Sequence, residues 1–131
     1  MPDLDGIFNQ LKEILVKYNL SLISMDETIN SQAKEKKNAY HLYGSLEVSL
    51  FGKKPQLTYI AGIIQHKNFI SFYFMPIYSH PDDFNWLSPT LKKFLKGKSC
   101  FNFPLMTNEL LSELELALVK GIAKYRDLQW I

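Results

Sequence analysis

Residues 57–75 read LTYIAGIIQHKNFISFYFM, and this stretch decides the fold. Two apolar runs, residues 57–64 and 69–75, are rich in β-branched and aromatic side chains and flank the polar segment 65–68. Runs of this composition separated by a short polar segment are typical of a β-hairpin. The sequence therefore predicts two antiparallel strands that are joined by a turn at residues 65–68.

The second of these strands is largely apolar on both faces. A strand of this kind is usually central in its sheet and covered on both sides. Pro76 ends the predicted strand at Met75, because proline has no N–H to donate to a sheet.

Further strands are predicted on both sides of the hairpin. The chain from residue 39 to residue 51 continues the sheet pattern, and residues 52–55 (GKKP) form a turn, since glycine adopts a positive φ freely and proline ends the pairing. Residues 100–103 form a short strand that Pro104 ends. Residues 19–25 predict one more short strand, and residues 26–38 predict an exposed loop.

Long helices are predicted near both ends of the sequence. Apolar residues recur at three- and four-residue spacing over residues 4–18 and over residues 108–126. Asp3 and Thr107 precede these segments and are suitable N-caps, because their side-chain oxygens accept free backbone N–H groups.

Two shorter helical segments are predicted between the sheet and the last helix. One is a turn over residues 82–86. The other begins at Ser88-Pro89, a serine N-cap followed by a proline at the first helical position, and ends at Gly97.

The order of helix, strands and then helices predicts one α+β domain over residues 1–131. Its antiparallel sheet, of about four to six strands, is expected to pack against the N-terminal and C-terminal helices.

Composition excludes several classes of protein. With 47% hydrophobic residues in 131, the chain needs no metal or disulfide to build a core, and its formal net charge of +2 gives no indication of a nucleic-acid partner. The single cysteine, Cys100, rules out an internal disulfide and fits a reducing compartment. Neither a secretory signal nor a membrane span is apparent. We expect a soluble, cytoplasmic protein with no membrane partner.

Two segments resemble a known family. Residues 67–76 (KNFISFYFMP) and residues 97–103 (GKSCFNF), the latter followed by a long helix, are similar to strand motifs of the YdhG-like family, a family of domains of unknown function. The resemblance extends from about Tyr40 to the last residue. It implies an α+β domain with an antiparallel sheet and packed helices. One branch of the family is described as a frataxin-like iron chaperone, which implies oxygen ligands for iron.

Four lysines, Lys92, Lys93, Lys96 and Lys98, cluster in a short segment. They predict either an anion-binding patch or a solvated helix end, where cations complement the helix dipole. Gly97-Lys98-Ser99 resembles the end of a phosphate-binding loop. However, Lys92 stands where that loop needs a glycine, and the order of strand and helix is reversed, so no nucleotide site is predicted.

The segment His80-Pro81-Asp82-Asp83 also has two interpretations. A histidine beside two carboxylates could hold a divalent cation or act as a general base. The same residues suit a loop in which an aspartate caps a helix. Cys100 follows Lys98 closely and is either a nucleophile or a buried small hydrophobe. No histidine has metal-ligand spacing, so no metal ligand and no cofactor is assigned.

Half of the aromatic residues lie between positions 40 and 78. The phenylalanines are expected in the core. Tyrosine is different, because a buried hydroxyl needs a hydrogen-bond partner. Outside the core, tyrosines line ligand clefts with a polar rim, and they are enriched at dimer interfaces. For Tyr43, Tyr59, Tyr73 and Tyr78 three placements are therefore open: the core, a ligand cleft or a dimer interface.

These patterns predict a non-enzymatic binding or interaction protein that acts through a tyrosine-rich sheet face, most simply as a homodimer. The alternative is a small-molecule or metal-binding protein whose site lies between the sheet and residues 78–83. An enzyme comes third, because no pair of catalytic groups has diagnostic spacing.

Overall fold

The computed structural model describes residues 3–18, 23–25, 39–49 and 52–131. Within these residues, a six-stranded antiparallel sheet packs against an N-terminal helix and a long C-terminal helix. The elements in chain order are α1 Leu4–Val16, β1 Ile23–Met25, β2 Ala39–Val48, β3 Gln56–Gln65, β4 Ile70–Phe74, α2 Met75–Ser79, a 3-10 turn Pro81–Phe84, α3 Pro89–Lys92, β5 Leu95–Lys96, β6 Cys100–Phe103 and α4 Asn108–Asp127. The predicted α+β class is confirmed.

The strands follow the order β1-β2-β3-β4-β6-β5, and every pairing is antiparallel. The predicted hairpin is formed by β3 and β4, and β4 is central as its sequence indicates. Ile63 lies opposite Phe72, which in turn lies opposite Phe101 on β6. Because residues paired across antiparallel strands share a face, these three buried side chains belong to one apolar surface of the sheet.

Helices α1 and α4 contact each other and β3, and so enclose the core. Their N-caps are those predicted: the Asp3 carboxylate accepts the Gly6 N–H at 3.0 Å, and the Thr107 hydroxyl accepts the Leu110 N–H at 3.2 Å. Helix α1 ends two residues before the predicted boundary at Tyr18, and α4 ends one residue beyond the predicted boundary. Each helix buries one stripe: Ile7, Phe8, Leu11, Ile14 and Leu15 on α1, and Leu110, Leu114, Leu118, Ile122 and Tyr125 on α4.

Strand β4 ends one residue before the predicted boundary at Met75. The strand stops at Phe74, and Met75–Ser79 forms the short helix α2. Pro76 therefore lies in the first turn of a helix, where its missing N–H would have had no helical partner. Tyr78 therefore lies on a short helix beside the sheet and not on a strand.

The predicted helix from Pro89 to Gly97 is also too long. Its N-cap is confirmed, since the Ser88 hydroxyl accepts the Leu91 N–H at 3.1 Å, but α3 ends at Lys92. Leu95 instead pairs with Phe101, which makes β5 and β6 a hairpin. Gly97, at φ +79°, serves the turn of this hairpin and does not end a helix.

Other predicted segments are confirmed within the described residues. Gly52 has a φ of +73°, as the predicted turn requires. The short strand predicted over residues 19–25 is observed at Ile23–Met25, and the turn predicted over 82–86 is the 3-10 turn Pro81–Phe84. Residues 19–22 and the loop predicted at 26–38 lie outside the described part of the chain.

A β-bulge in β3 determines which side chains meet. Leu42 pairs with Ala61, but the next residue, Tyr43, pairs with Tyr59, so Ile60 is the extra residue of β3. The bulge thus places two tyrosines directly opposite each other on neighbouring strands.

No helix that the structure describes combines the length and the apolar character needed to cross a membrane.

Candidate functional site

A cavity of about 560 Å³ lies where β3 begins and β4 gives way to α2. Three of the four predicted tyrosines line it: Tyr43 from β2, Tyr59 from β3 and Tyr78 from α2. We call it the tyrosine cleft. Its remaining walls combine apolar and polar side chains, which are Val48, Leu57, Met75, Lys53, Gln56 and Thr58.

Tyr59 is held firmly in the floor of the tyrosine cleft. Its ring meets the ring of Tyr43 edge to face, with centroids 5.1 Å apart. Its hydroxyl is hydrogen-bonded to Nδ1 of His41 at 2.8 Å. Burial, followed by the neighbouring Tyr43 and Tyr73, raises the pKa of Tyr59 well above that of an exposed tyrosine. The hydroxyl therefore stays protonated further into the alkaline range than that of an exposed tyrosine.

Gly62 makes this arrangement possible. It lies opposite His41 on the neighbouring strand, and a Cβ atom at this position would overlap both the Tyr59 hydroxyl and Nδ1 of His41. Only glycine leaves room for the tyrosine side chain to cross the strand at this point. No local sequence pattern indicates a role for His41, because its hydrogen bond to Tyr59 depends on the strand register.

Tyr73 lies outside the tyrosine cleft, in a separate polar group on β4 and β6. It pairs with Cys100 across the strands, and the Ser71 hydroxyl donates to Oδ1 of Asn102 at 2.9 Å. Burial raises the pKa of the Cys100 thiol. A nucleophilic cysteine needs the opposite shift, so the structure favours the interpretation of Cys100 as a small, partly buried side chain.

The four predicted lysines fall into two groups. Lys92 and Lys98 line a groove of about 710 Å³ together with Tyr78, Ser79 and Asn85, and we call this the lysine groove. Lys93 and Lys96 line a different cavity, of about 570 Å³, beside Phe69, Phe94 and Asn102. Because α3 is a single turn and is followed by a strand, the four ammonium groups do not form one helix face.

The histidine and carboxylates of the predicted loop point to different neighbours. The His80 ring packs against Trp130 and Tyr125, with centroids 5.3 and 6.1 Å away. The Asp83 carboxylate is 3.7 Å from the Lys124 ammonium, and Asp82 is exposed. Neither aspartate caps the 3-10 turn with its side chain. Among residues 3–18, 23–25, 39–49 and 52–131, no three histidine, cysteine or acidic side chains are grouped so as to hold a metal ion.

Ser79 connects this loop to α4. Its hydroxyl is 2.6 Å from the buried Tyr125 hydroxyl and 2.8 Å from Nδ1 of His80. Burial raises the pKa of Tyr125 to about 12. The Ser79–His80 distance suits a nucleophile and its base, but no carboxylate in the described residues orients His80. These hydrogen bonds of Ser79 therefore link α2 to α4. No local sequence signal indicates this role.

Comparison of the chain with models of protein families, with curated proteins and with solved structures gives no match. Function is therefore inferred from the geometry of the tyrosine cleft and its surroundings. Sequence reasoning identified Tyr43, Tyr59 and Tyr78 among its lining residues. It does not identify Met75, which the sequence pattern places in a strand, or Lys53, which the pattern places only in a turn.

Proposed function

We propose that the protein binds a small organic molecule in the tyrosine cleft. The observation that carries the proposal is the convergence of Tyr43, Tyr59 and Tyr78, from three different elements, on one cavity of about 560 Å³. Cavities that bind small molecules are typically about 300–1,000 Å³ and combine aromatic or apolar walls with a few polar groups. The tyrosine cleft has both properties.

The tyrosines differ in how freely they can adapt to a ligand. Tyr59 is fixed by its hydrogen bond to His41 and by the bulge in β3. Tyr78, by contrast, is 51% exposed and stands at the rim. A rigid floor lowers the entropic cost of binding, and an exposed aromatic rim can close over an apolar or aromatic ligand. The proposed ligand therefore has a flat, largely apolar body.

Binding and not catalysis is proposed for the tyrosine cleft. Apart from its tyrosines, the one titratable side chain among its described lining residues is Lys53. A hydrolytic or acid–base reaction would need a nucleophile and a base within hydrogen-bonding distance of each other.

A neutral aromatic fluorophore, N-phenylnaphthylamine, provides the test. Its fluorescence should rise saturably when it is titrated with the protein. Amide shifts in a nuclear magnetic resonance spectrum should be largest around Tyr43, Tyr59, Met75 and Tyr78. Tyr78→Ala should weaken binding roughly five- to tenfold, because the ligand loses one aromatic wall.

Leu116→Ala is a matched control, because Leu116 is 47% exposed on α4 and lines none of the cavities described above. Its affinity for N-phenylnaphthylamine should equal that of the wild type. Absence of saturable binding, or amide shifts confined to surfaces away from the tyrosine cleft, would show that the proposed function is wrong.

Two expectations from the sequence stay predictions. One is self-association through the tyrosine-rich face, and the other is membership of the YdhG-like family. The exposed rim residue Tyr78 supports the former, because tyrosine is enriched at protein interfaces. Light scattering at high protein concentration separates the two uses of this surface. A strict monomer that still binds N-phenylnaphthylamine would support the ligand site and exclude the dimer interface. A dimer that Tyr78→Ala dissociates would favour the interface.

A further inference from the structure

The tyrosine cleft and the lysine groove share one wall, which is the side chain of Tyr78. The residue lines a cavity with aromatic and apolar walls, and it also lines a groove of about 710 Å³ to which two lysines contribute. A ligand that packs against Tyr78 therefore lies next to both environments.

The two lysines of the groove come from different elements. Lys92 ends α3, and Lys98 follows Gly97 in the turn between β5 and β6. The Lys98 ammonium lies 6.0 Å from the centre of the Tyr78 ring, and the Lys92 ammonium donates to the backbone oxygen of Asn85 at 3.2 Å. Both side chains are exposed and neither forms an ion pair with a carboxylate of the described residues.

Among the residues that the structure describes, no acidic side chain lines this groove. Asp82 and Asp83 lie on the adjoining 3-10 turn, but neither lines the groove, and Asp83 is directed to Lys124 at 3.7 Å. Two unneutralised ammonium groups on one concave surface create a positive potential that favours a bound anion. The groove also offers uncharged hydrogen-bonding groups, from Ser79 and Asn85.

We propose that the ligand of this protein is an organic anion, whose flat body occupies the tyrosine cleft and whose negative group is held by Lys92 and Lys98 in the lysine groove. This inference rests on the proposed function and specifies its ligand. A sulfonate, carboxylate or phosphate group would satisfy the two ammonium groups, because charge-assisted hydrogen bonds are stronger than neutral ones.

The test compares two fluorophores that share one aromatic body. N-phenylnaphthylamine is neutral, and anilinonaphthalene sulfonate adds a negative group to the same ring system. The wild type should bind the sulfonate more tightly. The double variant Lys92→Gln with Lys98→Gln should weaken sulfonate binding roughly tenfold, as expected for the loss of charge-assisted contacts, and should weaken N-phenylnaphthylamine binding far less.

The chain supplies its own control for net charge. Lys93→Gln with Lys96→Gln removes the same charge from the same segment, but these lysines line the other cavity, beside Phe94. Sulfonate affinity should change less than about twofold in this variant, because exposed charges at a distance are screened. Raising the salt concentration should weaken sulfonate binding to the wild type more than binding to the Lys92/Lys98 variant.

The outcomes separate the two proposals. If neither fluorophore binds, the tyrosine cleft is not a ligand site and the proposed function fails. If N-phenylnaphthylamine binds and the sulfonate gains nothing from Lys92 and Lys98, the tyrosine cleft stands and the inference of an anionic ligand is overturned. An equal loss of sulfonate affinity in both double variants would also overturn it, because the effect would then come from net charge alone.

Discussion

The hydroxyl of Tyr59 lies 2.8 Å from Nδ1 of His41 on the neighbouring strand, and Gly62 leaves the space that the two side chains need. Both polar groups are thus satisfied within the sheet, where an unpaired hydroxyl would be costly. The same hydrogen bond fixes the floor of the tyrosine cleft. The stability of the sheet and the shape of the proposed ligand site therefore depend on one contact.

Gly62→Ala is expected to destabilise the protein by about 1–3 kcal/mol, the usual cost of forcing an extra carbon into a packed interior. The added Cβ would overlap the Tyr59 hydroxyl and Nδ1 of His41. Urea unfolding followed by circular dichroism measures the change. In a Tyr59→Phe background the same substitution should cost less, because part of the overlap is removed. Equal costs in both backgrounds would show that Tyr59 is not the residue displaced.

The stability of the protein should fall at alkaline pH, and Tyr125 should contribute to this fall together with Tyr59. The pKa of Tyr125 is raised to about 12 in the folded protein, against ~10 for an unfolded tyrosine. The folded state therefore keeps the proton while the unfolded state loses it. The resulting stabilisation is complete below pH ~10 and is lost as pH rises towards about 12. The loss is on the order of 2 kcal/mol.

Tyr125→Phe tests this pH dependence, because phenylalanine has no proton to lose. Urea unfolding across the alkaline range should give a flatter decline for the variant than for the wild type, although the variant is less stable at neutral pH for want of the hydrogen bond to Ser79. Parallel curves for the two proteins would contradict the assignment of the effect to Tyr125.

Ser88→Ala should cost about 1–2 kcal/mol of the free energy of unfolding. The Ser88 hydroxyl accepts the Leu91 N–H at 3.1 Å and donates to Oε2 of Glu113 at 2.8 Å, so it caps α3 and joins it to α4. Ser112→Ala is the control, since Ser112 is exposed on α4 and alanine has the higher helix propensity. Thermal unfolding should show a lower midpoint for Ser88→Ala and an unchanged or slightly higher one for Ser112→Ala.

Gln129→Gly should stabilise the protein by about 0.5–1 kcal/mol. Gln129 has a φ of +62°, and the bonds from Trp130 N–H to Tyr125 O and from Gln129 N–H to Arg126 O end α4 in a Schellman motif. Glycine adopts this left-handed conformation without strain. Leu128→Gly, at a right-handed position with φ −81°, should instead destabilise. Chemical unfolding measures the stability of both variants. Opposite changes would show that the left-handed conformation of residue 129 is responsible, whereas equal changes would contradict this explanation.

The sequence predicted those elements that have local signals. Asp3, Ser88 and Thr107 mark their helix starts because an N-cap needs only its own side chain and the next turn. The hairpin of β3 and β4 was found because both runs are long and apolar. In each case the interactions that define the element are close together in the sequence.

The predicted boundaries differ from the structure where a residue type is compatible with two kinds of secondary structure. Pro76 can end a strand or begin a helix, and Gly97 can end a helix or serve a hairpin turn. In this fold, the distant pairing of Leu95 with Phe101 decided the second case. The tyrosine cleft was predicted in part, since its tyrosines stood out by composition. The division of the four lysines between two cavities depends on tertiary packing, which the sequence pattern does not contain.

The two-residue strand β5 forms one edge of the sheet, and its Lys96 is exposed. Long, flat edges template the growth of intermolecular sheets, whereas a very short edge that carries a lysine offers few unpaired backbone groups to an incoming strand. This edge is therefore protected against fibril-like aggregation and is a poor acceptor for strand addition by a peptide. A macromolecule that docks on this side of the domain would have to recognise side chains and not the backbone.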